Sequence, residues 1–316
     1  MMKRNLIFCA YAFNEKMVPG ADINEQSIKK VEGYLKNATV ALASAKFYNP
    51  DCDIALVTNI ELPERFKTIF SKNNIIIYRA DFNSFVFDEK YKWGLAFYKL
   101  CALKQMLEKN YDNYLLLDTD TYTQSSLDDL WLDCEYDIML YDINHRYGIK
   151  DNRNFHKEVY EFLGESKQFT NYGGEFIAGN RENLNILMND CLEVYNKLIE
   201  DKFKMSFGDE FILRIAAEKN RNIIRNAGGY IFRYWTQNFN LTSTNYKYNA
   251  ISILHCPAEK TGGLIDLFAC IEKKNKILKN EEVWKILHLK KPKLKVRIIE
   301  LFSVQFRKKV KKILKR

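Results

Sequence analysis

Asn113-Tyr114-Leu115-Leu116-Leu117-Asp118-Thr119-Asp120-Thr121-Tyr122 is the stretch on which the reading of this chain turns. Tyr114 to Leu117 is a short run of apolar side chains without a polar break, the pattern of a strand covered on both faces of a parallel sheet. In open α/β sheets ligands bind beyond the carboxyl ends of the strands, which is where Asp118 and Asp120 stand. Side chains two apart on an extended segment point the same way, so both carboxylates can face one cation. Their hard oxygens suit Mn²⁺ or Mg²⁺, and a diphosphate would complete the coordination.

Outward from this strand the pattern alternates. Upstream, strands are predicted over 5–10, 53–57 and 75–78. Between them helices are predicted over 27–48, with Val31, Leu35, Ala38 and Leu42 at helical spacing, and from Pro63 to Phe70. A further helix over 93–109 carries Phe97, Leu100, Leu103 and Leu107 on one face and feeds the Asp-x-Asp strand. Downstream, short strands are predicted over 137–141 and 174–178, helices over 182–198 and 209–219, and a late strand over 251–255. Strands alternating with helices of this length predict an α/β fold: a mainly parallel, Rossmann-like sheet with flanking helices.

The 316 residues are 47% hydrophobic, enough for a packed core, and only 5 Pro and 13 Gly argue against a linker-rich chain. Residues 1–288 read as one domain and 289–316 as a tail. From Lys290 onward 12 Lys/Arg face one acid, Glu300, a local charge of +11, which leaves −2 on the rest of a chain whose total is +9. The basic character therefore belongs to the tail, and the body is not an obvious nucleic-acid binder. In that tail Leu294, Ile298, Phe302 and Phe306 recur every four residues, with Arg307, Lys308, Lys309, Lys311 and Lys312 among the cations. This is the composition of an interfacial amphipathic helix, and it predicts docking on an anionic membrane face. The seven cysteines lack CxxC spacing and read as free thiols of a reducing, cytoplasmic setting. The apolar start, Leu6 to Phe13, ends at Asn14-Glu15-Lys16 without a small-residue cleavage site, so it reads as the first core strand.

Three chemistries fit the Asp-Thr-Asp motif. It can be turn chemistry after a strand. It can be the Asp-x-Asp-x-Thr nucleophile of a haloacid-dehalogenase-like phosphatase, although Tyr122 replaces the Thr or Val of that motif and three strands precede it. It can also be a sugar-nucleotide cation site. The surrounding motifs bear on the choice. Tyr98-Lys99-Leu100 precedes the strand, and Tyr172-Gly173-Gly174-Glu175, Gly208-Asp209-Glu210 and His255…Lys260…Gly262-Gly263 follow it. In this order, over about residues 5–265, the chain resembles glycosyltransferases of the GT-A fold. Tyr98-Lys99-Leu100 and His255…Lys260…Gly262 are similar to the glycogenin and lipooligosaccharide-galactosyltransferase branch, without its terminal Lys-Pro-Trp. Tyr172 to Gly179 and Asp209-Glu210 are similar to the histo-blood-group branch.

The resemblance implies a retaining, metal-dependent hexosyltransferase acting on a nucleotide-diphosphate donor such as UDP-sugar, with a glycan or glycolipid acceptor in surface polysaccharide or lipopolysaccharide synthesis. It implies His255 as a third metal ligand beside Asp118 and Asp120, where the plainer reading is a satisfied histidine at a strand end. It implies that Lys260 and the amides of Gly262 and Gly263 hold the diphosphate, and that Ala10, Tyr11 and Asp81 seat the base, Tyr11 by stacking. Thr119 would touch the donor. Lys99 either contacts a metal-site Asp or the donor, or snorkels to the surface. Asp209 and Glu210 are candidates for the reacting carboxylate, with Asp209 alternatively a helix cap. Gly173 and Gly174 mark either close approach of a ligand or a bulge. Competing functions are another metal-dependent nucleotidyl- or phosphoryl-transfer enzyme and a non-enzymatic basic binding protein.

Overall fold

A computed structural model describes residues 3–13, 27–88, 91–144, 149–165, 169–236 and 248–289. The basic tail from residue 290 and its expected amphipathic helix lie outside the described residues. Seven strands form the central sheet: β1 (Asn5–Tyr11), β2 (Asp53–Thr58), β3 (Ile75–Arg79), β4 (Asn113–Leu117), β6 (Ile138–Asp142), β7 (Tyr172–Asn180) and β8 (Ile224–Asn226). Their order is β3-β2-β1-β4-β7-β6-β8. β1 pairs in parallel with both β2 and β4, and β7 alone runs antiparallel to its two neighbours. The chain is thus α/β with a mostly parallel sheet. Its strand order reverses between β1 and β4, the switch point at which such sheets open a crevice.

Alternation along each strand divides the core. Ile7, Cys9, Ile54, Leu56, Leu115 and Leu117 belong to one apolar cluster with Leu35, Ala41, Phe66 and Phe70. The last four lie on α1 (Ser27–Tyr48) and α2 (Glu64–Lys72). Leu6, Phe8, Ala55, Val57, Tyr114 and Leu116 belong to the other cluster. Leu100 and Leu103 of α3 (Tyr98–Met106), Leu187 of α6 (Arg181–Glu200) and Phe211 of α7 (Asp209–Lys219) join them. Each fully buried side chain of this kind contributes about 1.5–3 kcal/mol, which is why β1 and β4 read as unbroken apolar runs.

A second, three-stranded sheet has the order β5-β10-β9, with β5 (Thr121–Thr123), β9 (Ile231–Arg233) and β10 (Ile253–His255). β5 begins directly after Asp120, so this small sheet is anchored to the carboxyl end of β4.

Several elements differ from expectation in extent: β7, for example, is longer at both ends than the strand expected over 174–178, and two others have local causes. The helix predicted over 93–109 is a 3-10 turn at Gly94–Phe97 followed by α3. Gly94 is a poor helix former, and the Trp93 indole N–H is tied to the Ser206 carbonyl at 3.2 Å, which tightens the first turn. The last strand starts at Ile253 because the Ile251 carbonyl is taken by the Gln124 side-chain amide.

Candidate active site

Strand register brings distant residues together. His255 of β10 lies opposite Thr121 of β5 and beside Arg233 of β9. The Cys256 N–H donates to the Asp120 carbonyl at 2.9 Å, and the Asp118 N–H donates to the Glu175 carbonyl of β7 at 3.1 Å. Asp118, Asp120, Glu175 and His255 are therefore fixed by backbone before any side chain is considered.

Asp118, Asp120 and His255 present ligand atoms within 4.8 Å of one another. Opposite ligands of an ion with bonds of about 2.1 Å span about 4.2 Å, so the set is close to coordination size. Two carboxylates and an imidazole also suit Mn²⁺ chemically. His255 Nε2 stands 3.1 Å from Asp120 Oδ2, and Lys260 Nζ stands 3.3 Å from the same oxygen. Burial alone would raise the Asp120 carboxyl, but Lys260 and His255 outweigh it and hold the group well below the usual carboxylate range.

Lys99 is the hub of the neighbouring cluster. Its Nζ lies 3.0 Å from Asp118 Oδ1 and 3.2 Å from Asp209 Oδ2, and it donates to the Gly174 carbonyl at 3.1 Å. Burial pulls the ammonium down, and Asp118 and Asp209 more than offset this and raise it. Of the alternatives open for Lys99, the structure shows contact with Asp118, one of the candidate cation ligands, rather than a lysine snorkelling to the surface. Burial drives the Asp209 carboxyl up to about 6, against the pull of Lys99 and with help from Glu210 and Asp118. Asp209 does not act as a helix cap, since Gly208 occupies the N-cap position and makes no side-chain bond.

Glu210, one residue on, is about a quarter exposed, 3.4 Å from Arg214 and 3.9 Å from Arg233. Arg233 Nε donates to Glu175 Oε1 at 2.7 Å. Burial alone would raise Glu175 as well, but Arg233 and His255 hold it well below the carboxylate range.

Of the residues expected to touch a donor, Gly262 and Gly263 have their amides engaged within the chain. Tyr11 is only 7% exposed, and its ring lies 5.7 Å from that of half-buried Tyr34. The Gly262 N–H donates to the Glu259 carbonyl at 3.1 Å, and the Gly263 N–H donates to Glu259 Oε2 at 3.0 Å. Both amides are spent within the chain. A Cβ at Gly263 would stand 2.5 Å from the Ile286 carbonyl, so packing accounts for that glycine. The β7 glycines make room for carboxylates: a Cβ at Gly173 would lie 1.8 Å from Glu175 Oε2, and one at Gly174 would lie 2.1 Å from Asp209 Oδ2. Asp81 is exposed at the end of β3, its backbone clipped at both N–H and C=O by Gln105. Ala10 is half-buried at the end of β1, and Thr119 is buried between the two aspartates.

Glu175, Arg233 and Arg214 escaped sequence reasoning. Glu175 lies inside the quoted Gly-Gly-Glu segment, where a charged residue within an apolar strand is a readable signal. Arg233 carries no local signal; only strand pairing brings it to His255. No protein-family model matches the chain, and no curated protein matches it.

Proposed function

We propose that this chain is a metal-dependent glycosyltransferase of the GT-A type, moving a hexose from a UDP-sugar to a glycan or glycolipid acceptor with retention, in the assembly of a surface polysaccharide or lipopolysaccharide. The observation that carries the reading is the convergence of Asp118, Asp120 and His255 at the carboxyl edge of the sheet, beside the β1–β4 switch point. Those three residues would hold Mn²⁺ or Mg²⁺, which when bound supplies Lewis-acid neutralisation of a leaving diphosphate. Lys260 presents a further positive charge beside Asp120, suited to a phosphate. Asp209 is tied to Lys99, so Glu210 is the carboxylate better able to meet the reacting carbon, where it would attack or stabilise oxocarbenium character. Arg214 and Arg233 orient it.

The test is release of UDP from UDP-sugars with Mn²⁺ and with chelator. Wild type is expected to require the metal. Asp120→Asn is expected to fold and to lose about 10²–10³-fold in rate, the equivalent of several kcal/mol of Lewis-acid stabilisation. Undiminished rates in chelator, or in Asp120→Asn, would overturn the metal-dependent reading. The anomeric configuration of the first-formed product, read by NMR, decides retention.

A further inference from the structure

We propose that Glu175 is a positioning residue for His255: its buried carboxylate holds the imidazole so that Nε2 is turned to the Asp118–Asp120 pair, and it thereby sets the site's affinity for a divalent cation. The proposal rests on the metal site proposed above.

The backbone of His255 is fixed between β5 and β9, so the freedom left to the residue is the setting of its ring. Two carboxylates bracket that ring. Asp120 Oδ2 is 3.1 Å from Nε2, and Glu175 Oε1 is 3.3 Å from Nδ1. His255 and Glu175 are 3% and 1% exposed, so water does not compete for either nitrogen. Among the described residues Nδ1 has no aligned hydrogen bond, and its Glu175 contact is an ion-pair distance of 3.3 Å; a proton on Nδ1 turned toward that oxygen would leave the Nε2 lone pair for a cation shared with Asp118 and Asp120. A histidine bound to a metal through one nitrogen is oriented by the acceptor that its other nitrogen meets, and removal of that acceptor weakens the metal 10–100-fold as a rule.

Glu175 is itself held. Arg233 Nε grips Oε1 at 2.7 Å, and the strand clears space for the other oxygen by having no side chain at Gly173, where a Cβ would stand 1.8 Å from Oε2. Among the described residues that oxygen has no hydrogen-bond partner, and the contacts that hold the carboxylate are made through Oε1, the oxygen that Arg233 and His255 share. A competing role is simple neutralisation of Arg233. The two roles part on reach: neutralisation needs a negative charge near Arg233, whereas positioning needs an oxygen at Nδ1.

The experiment measures Mn²⁺ binding to the full chain by electron paramagnetic resonance, with electron spin-echo modulation reporting the coordinated imidazole nitrogen. Circular dichroism checks folding of each variant. Glu175→Gln keeps the volume but removes the charge, and Glu175→Asp keeps the charge but shortens the reach by one methylene. Both are expected to bind Mn²⁺ about 10–100-fold more weakly than wild type, with the nitrogen modulation lost or altered. Should Glu175→Gln not fold, Glu175→Asp alone decides. Wild-type affinity and modulation in Glu175→Asp would make Glu175 only a counter-charge to Arg233 and overturn the proposal. If wild type itself binds no Mn²⁺, the metal site falls first and the positioning role falls with it.

Discussion

His255 has Asp120 3.1 Å from one ring nitrogen and Glu175 3.3 Å from the other, and both favour its protonated form. Burial pulls the imidazole the opposite way, but the two carboxylates prevail and raise its pKa above the ordinary 6.5. A cation ligand must be neutral, so a metal that binds Nε2 has to displace a proton. Affinity for Mn²⁺ is therefore expected to rise with pH, by about tenfold per unit below the raised pKa and levelling above it, since one proton leaves per ion. Calorimetric titration between pH 6 and 9 checks this, and a flat profile would remove His255 from the ligand set. The same shifts fix the sign of the stability profile. His255, raised, contributes stability below 6.5 that is lost as pH climbs through its folded value. Asp120 and Glu175, depressed, contribute stability above the ordinary carboxylate range that is lost on acidification.

At the scale of elements, β7 carries the tightest constraint. A Cβ at Gly174 would stand 2.1 Å from Asp209 Oδ2 and 2.9 Å from Lys99 Nζ, and Lys99 is also paired with Asp118. Gly174→Ala is expected to destabilise by about 1–3 kcal/mol, the usual cost of overpacking. Gly33, inside α1 with nothing within 4 Å of a Cβ, is the control; Gly33→Ala should stabilise by about 0.5–1 kcal/mol through helix propensity. Thermal melts compare the two, and equal melting temperatures would show that Gly174 is free to take a side chain. The same element shows where legibility in the sequence ends. β1, β2 and β4 were readable because they are runs of largely apolar residues buried on both faces, β3 because three isoleucines run together, and α7 because Gly-Asp-Glu precedes an apolar period. β5, β8 and β9 are three residues each and have no period to detect. They exist through pairing with strands far away in the chain. Arg233 lay beyond reach for that reason, whereas Asp118, Asp120 and Lys99 sit on or beside long periodic elements. His255 closes a legible strand, and Glu175 lies within another, where the adjacent glycines carry the stronger local signal. The purpose of those glycines became plain only with the partners in place, because a missing Cβ does not say what fills the space.

For the whole molecule, the question is what the separation of charge accomplishes. The body has no basic surplus, since the +9 of the chain is exceeded by the +11 that begins at Lys290. Among the described residues no helix is long and apolar enough to cross a membrane. At the end of the described residues His288 Nδ1 lies 3.1 Å from Glu259, the residue before Lys260, and the Leu289 N–H donates to the Trp284 carbonyl at 2.9 Å. The tail's four-residue apolar spacing and clustered Lys/Arg match a surface-lying helix, with each cation near an anionic leaflet worth about 1 kcal/mol and weakened by salt. The full chain is expected to co-sediment with vesicles containing acidic lipid at low salt, to release as salt shortens the Debye length, and to ignore neutral vesicles. A chain ending at Leu289 should stay in the supernatant with either. Retention of the full chain in the supernatant with acidic vesicles would refute membrane docking. If the shortened chain still transfers sugar to a soluble acceptor, the tail acts by holding the enzyme at its substrate's surface. If transfer is lost with it, residues beyond Leu289 have a part in the transfer reaction itself.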